Sequence, residues 1–246
     1  MKINVNRRKE VTTPLESDRS AFNRAELLVV IAVTSLLSAL VLPALANSRP
    51  RSVRVICVNN LRQIGMGLQV WGNDHADILP QELPVSAGGT MLHTLAPNVW
   101  LHLSWISNEV VSPRIYLCPS DTGQPARDFT GSPTGGYLSP NFANRATSYF
   151  LGYNDPFFEN NPNAAIVGDR NVSTSGIGGC SRFSTALSIS LPAPAGFPKW
   201  TSGLHGDVGN VLTGDGSVHQ FDSARLSQLI NTSFLDVGAK HIITPR

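Results

Sequence analysis

The side chains best suited to chemistry gather towards the C-terminus. His205, Asp207 and Asp215, joined by Asp169, offer one imidazole and three carboxylates. Carboxylate oxygens suit calcium, which takes six to eight oxygen ligands. The segment Gly206-Asp207-Val208-Gly209-Asn210 is too sparse in oxygens for an EF-hand loop. The favoured reading is structural: Asp215 forms a turn with Gly216, and His205 anchors its loop by hydrogen bonds. Calcium held around His205, Asp207, Asp215 and Gly216 is the one metal these residues suggest, and no other cofactor is expected. Asp74-His75-Ala76-Asp77 is a second cluster, read as a solvated helix C-terminus with Asp as turn former. Cys57, Cys118 and Cys180 lack Cys-x2-Cys spacing, which argues against a zinc site. In an oxidising, exported setting they allow one disulfide, with Cys57 and Cys118 the preferred pair; the third thiol stays free or pairs between chains. No Gly-x-Ser-x-Gly elbow, His-Glu-x-x-His or P-loop occurs, so an enzyme is not expected.

These residues must be positioned by a chain of 246 residues, long enough for one large domain or two small ones. Only 15% of it is charged, against roughly 25% in ordinary soluble domains. With 41% hydrophobic residues and a mean hydropathy of −0.02, it is neither a disordered chain nor a polytopic membrane protein. The net charge of +2 lies wholly in residues 1–21, where Lys2, Arg7, Arg8, Lys9 and Arg19 face Glu10, Glu16 and Asp18. The rest is formally neutral, which argues against a nucleic-acid binder that depends on phosphate contacts.

From Leu27 to Ala46 the chain carries no charge. As a helix this stretch spans about 30 Å, the thickness of one bilayer core. Basic residues ahead of it predict a cytoplasmic N-terminus and an exported C-terminus. A secretory signal peptide has a shorter apolar region, although Ala44-Leu45-Ala46 imitates a small-residue cleavage site. A plain signal anchor is a further reading. Glu26 separates these readings, because an acid at the start of a membrane span is costly and usually has a partner.

The run Ala21-Phe22-Asn23-Arg24-Ala25-Glu26-Leu27-Leu28-Val29-Val30-Ile31-Ala32 resembles the prepilin-type cleavage/methylation segment of type IV pilins and type II secretion pseudopilins. The resemblance implies cleavage between Ala21 and Phe22 by a prepilin peptidase, methylation of the new amine, and an acid, Glu26, at the fifth mature position. Pro43 then falls where many pilin helices carry a kinking proline. Ala21 stands in place of the usual Gly, and Asn23-Arg24-Ala25 in place of Thr-Leu-Ile. In that family the buried acid pairs with the N-terminal amine of a neighbouring subunit and sets axial register, since a buried charge is tolerable only when partnered. Loss of 21 of the 246 residues leaves 225.

An interruption is expected at Asn47-Ser48-Arg49-Pro50, because Pro50 disfavours helix at Arg49. Val53, Cys57, Leu61, Ile64, Leu68 and Trp71 then form one apolar stripe of an amphipathic helix over 51–73. Its other face carries Arg54, Asn59, Arg62, Gln63 and Gln69. Short strands are expected at 165–168, 210–213 and 217–221, the last two flanking the hairpin signal Gly214-Asp215-Gly216. Residues 123–144, 173–179 and 191–198 read as loops.

A second resemblance covers Cys57–Gly65 with Trp71, Asp74, Asp77 and Leu79-Pro80; Leu117-Cys118-Pro119-Ser120-Asp121; Ser148–Gly152; Val167–Asn171; and His205-x9-Asp215-Gly216. These are similar to pilin-like proteins of Planctomycetes and Verrucomicrobia, a group of unknown function with a His-x9-Asp-Gly signature. Together the resemblances imply an α+β, pilin-like fold: a long N-terminal helix, membrane half then amphipathic half, laid on an antiparallel β-sheet with long loops. The implied domains are a leader (1–21), a transmembrane and filament-core helix (22–47) and an exported domain (48–246).

The expected function is a structural pseudopilin-like subunit in the inner membrane, its exported domain periplasmic or extracellular. Its partners would be a prepilin peptidase, other pilin or pseudopilin subunits and the secretion or pilus assembly machinery. A membrane-tethered binding protein is the alternative, with Trp71, Trp100, Trp105, Trp200, Tyr137, Tyr149 and Tyr153 as stacking surfaces for a polysaccharide. An exported metal-dependent hydrolase using His205 and Asp215 ranks last.

Overall fold

A computed structural model describes residues 23–91, 93–96, 98–153, 162–173, 187–188, 198–233 and 241–245. Ala21 and Phe22 lie outside the described residues, as do Cys180 and most of the loops expected at 173–179 and 191–198. The chain divides into two compact units, Met1–Ser48 and Arg49–Arg246. Helix α1 is assigned over Arg24–Asn73. The interruption expected at Asn47-Ser48-Arg49-Pro50 is not observed, and the helical assignment runs through it. A proline removes one amide donor and crowds the preceding turn, which weakens a helix without obliging it to end.

In the first unit, local hydrogen bonds define the helix start. Asn23 Oδ1 accepts from the Ala25 amide at 3.3 Å, and Glu26 Oε2 accepts from the Asn23 amide at 3.0 Å. This is the reciprocal arrangement of a capping box, with the acid also facing the positive end of the helix dipole. Beyond it, Arg24–Leu42 is a span of 19 residues with mean hydropathy 2.4, none of it buried, long and apolar enough to cross a membrane. The hydroxyls within this span bond inside the helix: Thr34 Oγ1 to the Val30 carbonyl (2.8 Å), Ser35 Oγ to Ala32 (2.9 Å) and Ser38 Oγ to Thr34 (2.7 Å). In hydrocarbon a hydroxyl needs such a partner, because no water is present to supply one.

The second unit is mixed helix and antiparallel sheet. Its strands are β1 (Tyr149–Tyr153), β2 (Ala165–Asp169), β3 (Val172–Ser173), β4 (Leu187–Ser188), β5 (Lys199–Trp200), β6 (Val208–Thr213), β7 (Val218–Asp222) and β8 (His241–Thr244). Six of them form one sheet in the order β4-β8-β1-β2-β6-β7, with every pairing antiparallel; β3 and β5 make a separate ribbon. Helices α2 (Val99–Ser104) and α3 (Ser223–Ser233) and three short 3₁₀ turns accompany them among the described residues.

Period-two alternation sends neighbouring side chains of the central strands into two different cores. Tyr149, Leu151, Leu212 and Ile243 join the apolar stripe of α1, in which Cys57, Leu61, Ile64, Leu68 and Trp71 are all buried. Phe150, Val211 and Ile242 join Leu226 and Ile230 of α3, together with Trp200. Strand β2 is covered on both faces and buried throughout. Each large apolar side chain removed from water contributes about 1.5–3 kcal/mol, so these two clusters dominate the stability of the unit. The helix lies very close to the sheet at Gly65, where an added Cβ would stand 2.7 Å from Leu212 Cδ2.

Candidate functional site

Four of the sequence motifs meet beneath α1. Cys57 projects from the buried stripe of α1 and is joined to Cys118 by a disulfide, 61 residues further along the chain. Cys118 follows a 3₁₀ turn at Pro113–Tyr116, whose start is fixed by Ser112 Oγ accepting from the Arg114 amide. Asp169 ends β2, His205 lies in the loop before β6, and Asn210 sits within β6.

One ring orientation of His205 accounts for its contacts. Nε2 is 3.4 Å from Cys118 Sγ and 3.7 Å from Asp169 Oδ2, and Nδ1 is 3.5 Å from Ser120 Oγ. A disulfide sulfur carries no proton, so a hydrogen bond to it places the proton on Nε2. That leaves Nδ1 to accept from the Ser120 hydroxyl. Both the His205 and Asp169 side chains are buried, at 3% and 0% exposure. Asp169 Oδ2 accepts from the Asn210 backbone amide (2.7 Å) and from its Nδ2 (2.9 Å), while Asp169 Oδ1, also buried, has no hydrogen-bond partner among the described residues.

Burial pushes the Asp169 carboxyl up to about 7; the Asn210 donors and Arg54 pull it down, and Asp121 pushes it up. Burial, followed by the nearby Arg54 guanidinium, holds the His205 imidazole below its ordinary value. The loop bearing His205 is fastened from two sides. Arg54 Nη2 donates to the His205 carbonyl at 3.1 Å, and Asn171 Nδ2 donates to the Thr201 carbonyl at 2.7 Å. A second polar cluster comes from the same motifs: Arg170 Nη2 and Asp121 Oδ1 are 2.6 Å apart, and Ser148 Oγ donates to Asp121 Oδ2 at 2.6 Å.

The Asp-Gly half of the C-terminal signature serves another place. Asp215 Oδ1 accepts from Thr213 Oγ1 (2.7 Å), the Ser217 amide (3.0 Å) and Ser217 Oγ (2.7 Å). These donors, the Ser217 hydroxyl first, hold its carboxyl down at about 2. Gly216 has φ +79°, the left-handed conformation that closes the β6–β7 hairpin. Asp207 is exposed. His205 and Asp215 thus have different partners, and the one group of three or more His, Cys, Asp or Glu ligand atoms close together among the described residues is Cys57, Cys118 and His205. Asp74 and Asp77 are exposed at the end of α1, where His75 stacks on Trp71 with ring centroids 3.7 Å apart.

Asp169, Asn210, Ser120 and Arg54 are the site members that spacing alone does not bring together. Asp169 stands in the Val167–Asn171 motif, but only the tertiary fold carries it to His205. Of the aromatics, Trp71, Trp200, Tyr137 and Tyr149 are buried in the cores and present no ring face to a ligand in solution, whereas Trp100 and Trp105 are partly exposed. Trp105 lines a cavity of about 290 Å³ with Phe129 and Leu138. No family model, no curated protein and no solved structure matches this chain.

Proposed function

We propose that the protein is a pilin-like (pseudopilin) structural subunit. It is inserted in the inner membrane, processed by a prepilin peptidase before Phe22, and assembled with other such subunits into a type II secretion pseudopilus or type IV pilus-like filament. The observation that carries this reading is the apolar span Arg24–Leu42, wholly exposed and opened by a charged cap between Asn23 and Glu26. An exposed apolar helix of that length needs a lipid or protein environment to cover it. The mixed helix and antiparallel sheet of the second unit, tied by a disulfide, suits an exported domain. In the exported unit, the Cys118, Asp169 and His205 motifs act as an internal brace, with His205 packed against the disulfide rather than presented to a substrate.

The test is the mature N-terminus, read by mass spectrometry of protein from the membrane. An N-methylated Phe22 is the expected result. A start near Asn47 identifies a secreted soluble protein and overturns the reading.

A further inference from the structure

The buried cluster around the disulfide has the composition of a metal site. The sulfurs of Cys57 and Cys118 and a ring nitrogen of His205 all lie within 4.8 Å of one another, each on a buried residue. Outside that set of three, a carboxylate stands beside the ring: Asp169 Oδ2 is 3.7 Å from His205 Nε2. We propose that the dithiol form of the chain binds a thiophilic divalent cation of the Zn²⁺ class through Cys57 Sγ, Cys118 Sγ, His205 Nε2 and Asp169, and that metal and disulfide are alternative occupants of one site.

The ligand set and spacings fit this assignment. Two thiolates, one imidazole and one carboxylate are four ligands of the types zinc takes, enough for a tetrahedral set. With Zn–S near 2.3 Å and Zn–N near 2.0 Å, a sulfur and a nitrogen on one tetrahedron stand about 3.5 Å apart. Cys118 Sγ and His205 Nε2 are 3.4 Å apart. The two sulfurs, 2.10 Å apart when bonded, must separate to about 3.8 Å around the metal, which rotation about their Cα–Cβ bonds supplies.

The surrounding groups fit a metal as well. Ser120 Oγ, 3.5 Å from His205 Nδ1, can accept from Nδ1–H when the Nε2 lone pair faces a metal. The two Asn210 donors orient the Asp169 carboxylate as outer partners of a metal ligand do. Among the described residues Asp169 Oδ1 is buried without a hydrogen-bond partner, so one oxygen of the carboxylate is not taken up by a donor. Two thiolates and a carboxylate around Zn²⁺ leave one negative charge, and the Arg54 guanidinium acts on both His205 and Asp169.

The exchange balances in electrons and protons. A dithiol reductant gives two electrons and two protons to the Cys57–Cys118 bond, yielding two thiols while the reductant closes its own disulfide. The metal then displaces the two thiol protons, since only thiolates ligate.

The experiment uses the full chain in detergent with Co²⁺ as the spectroscopic probe, before and after reduction by a phosphine under argon. The reduced chain should bind one Co²⁺, with a sulfur-to-cobalt charge-transfer band and intense visible bands of tetrahedral cobalt, all reversed by Zn²⁺. The oxidised chain should show none of these. His205→Ala and Asp169→Asn should each weaken Co²⁺ binding at least tenfold, with circular dichroism of their oxidised forms reporting that the fold is kept. A reduced chain that shows no charge-transfer band, folded or not, overturns the proposal. So does His205→Ala binding Co²⁺ as tightly as the unaltered chain.

Discussion

The imidazole of His205 and the carboxyl of Asp169 face each other across 3.7 Å, both buried, with Cys118 Sγ against the same ring nitrogen. Their proton equilibria oppose each other. Asp169 is held up at about 7, so between about pH 4 and 7 the folded chain binds more protons than the unfolded one. Its contribution is therefore present at low pH and is lost as pH rises through about 7. His205 is held below its ordinary value, so it acts in the other direction: its contribution is lost as pH falls below about 6.5. The charged groups acting on the pair are Arg54 from α1 and Asp121 from the Cys118 loop.

Asp169→Asn keeps an acceptor for the Asn210 donors and removes the titration. The melting temperature of the oxidised variant should then rise more steeply with pH up to about 6.5 than that of the unaltered chain, because His205 and the buried His102, held down at about 4, both favour folding as they lose their protons and Asp169 no longer opposes them. Thermal melts at half-unit pH intervals decide the matter, and identical profiles would refute the elevated carboxyl.

Removing the disulfide should cost stability through the unfolded chain. The bridge closes a loop of 61 residues, and the loop-entropy relation for that length gives about 4 kcal/mol. Cys57→Ser with Cys118→Ser should lower the urea midpoint and steepen the slope, because the unlinked denatured chain exposes more surface. A double variant as stable as the bridged chain would mean that the unfolded state gains nothing from losing the link.

The sequence made helix α1 and the C-terminal hairpin readable because their signals are local. The stripe Val53–Trp71 repeats every three or four residues, and the helix that carries it ends at Asn73, beside the expected stop at Gly72-Asn73-Asp74. The strands expected at 210–213 and 165–168 fall within β6 and β2, and the one expected at 217–221 overlaps β7, which begins and ends one residue later. Strands β1 and β8 and helix α3 escaped notice. Tyr149–Tyr153 is an almost continuous apolar run with no alternation, because both of its faces are covered. The site was legible only as fragments. Cys118, Asp169 and His205 each stood in a motif, but β2 and the loop before β6 bring them together only after the sheet has formed. The Asp215 turn needed no such assembly, since its donors lie two residues away on either side.

Gly65 tests how closely α1 meets the sheet. Alanine in a helix is favoured over glycine by about 1 kcal/mol, yet a Cβ here stands 2.7 Å from Leu212 Cδ2 in a fully buried core. Overpacking of this kind costs about 1–3 kcal/mol. Gly65→Val adds further bulk and forgoes the propensity gain, so it should destabilise by more than 2 kcal/mol in urea titration. Gly65→Ala should change stability by less. A neutral valine would place the helix farther from β6 than the structure does.

Glu26 has a local task, accepting from the Asn23 amide at 3.0 Å, and in the proposed filament a second task as the charge that meets a neighbour's N-terminal amine. Two substitutions separate these. Glu26→Gln keeps an acceptor for the cap but carries no charge, whereas Glu26→Ala removes both and should fray the helix start at a cost of about 1 kcal/mol. Neither removes apolar length, so both variants should insert in the membrane as the unaltered chain does. If the charge sets register, both should fail to enter filaments, because the partner amine is left buried and unpaired. Filament fractions sheared from cells and probed for the protein give the readout. Normal incorporation of Glu26→Gln would reduce Glu26 to a helix cap and remove the electrostatic register from the assembly model.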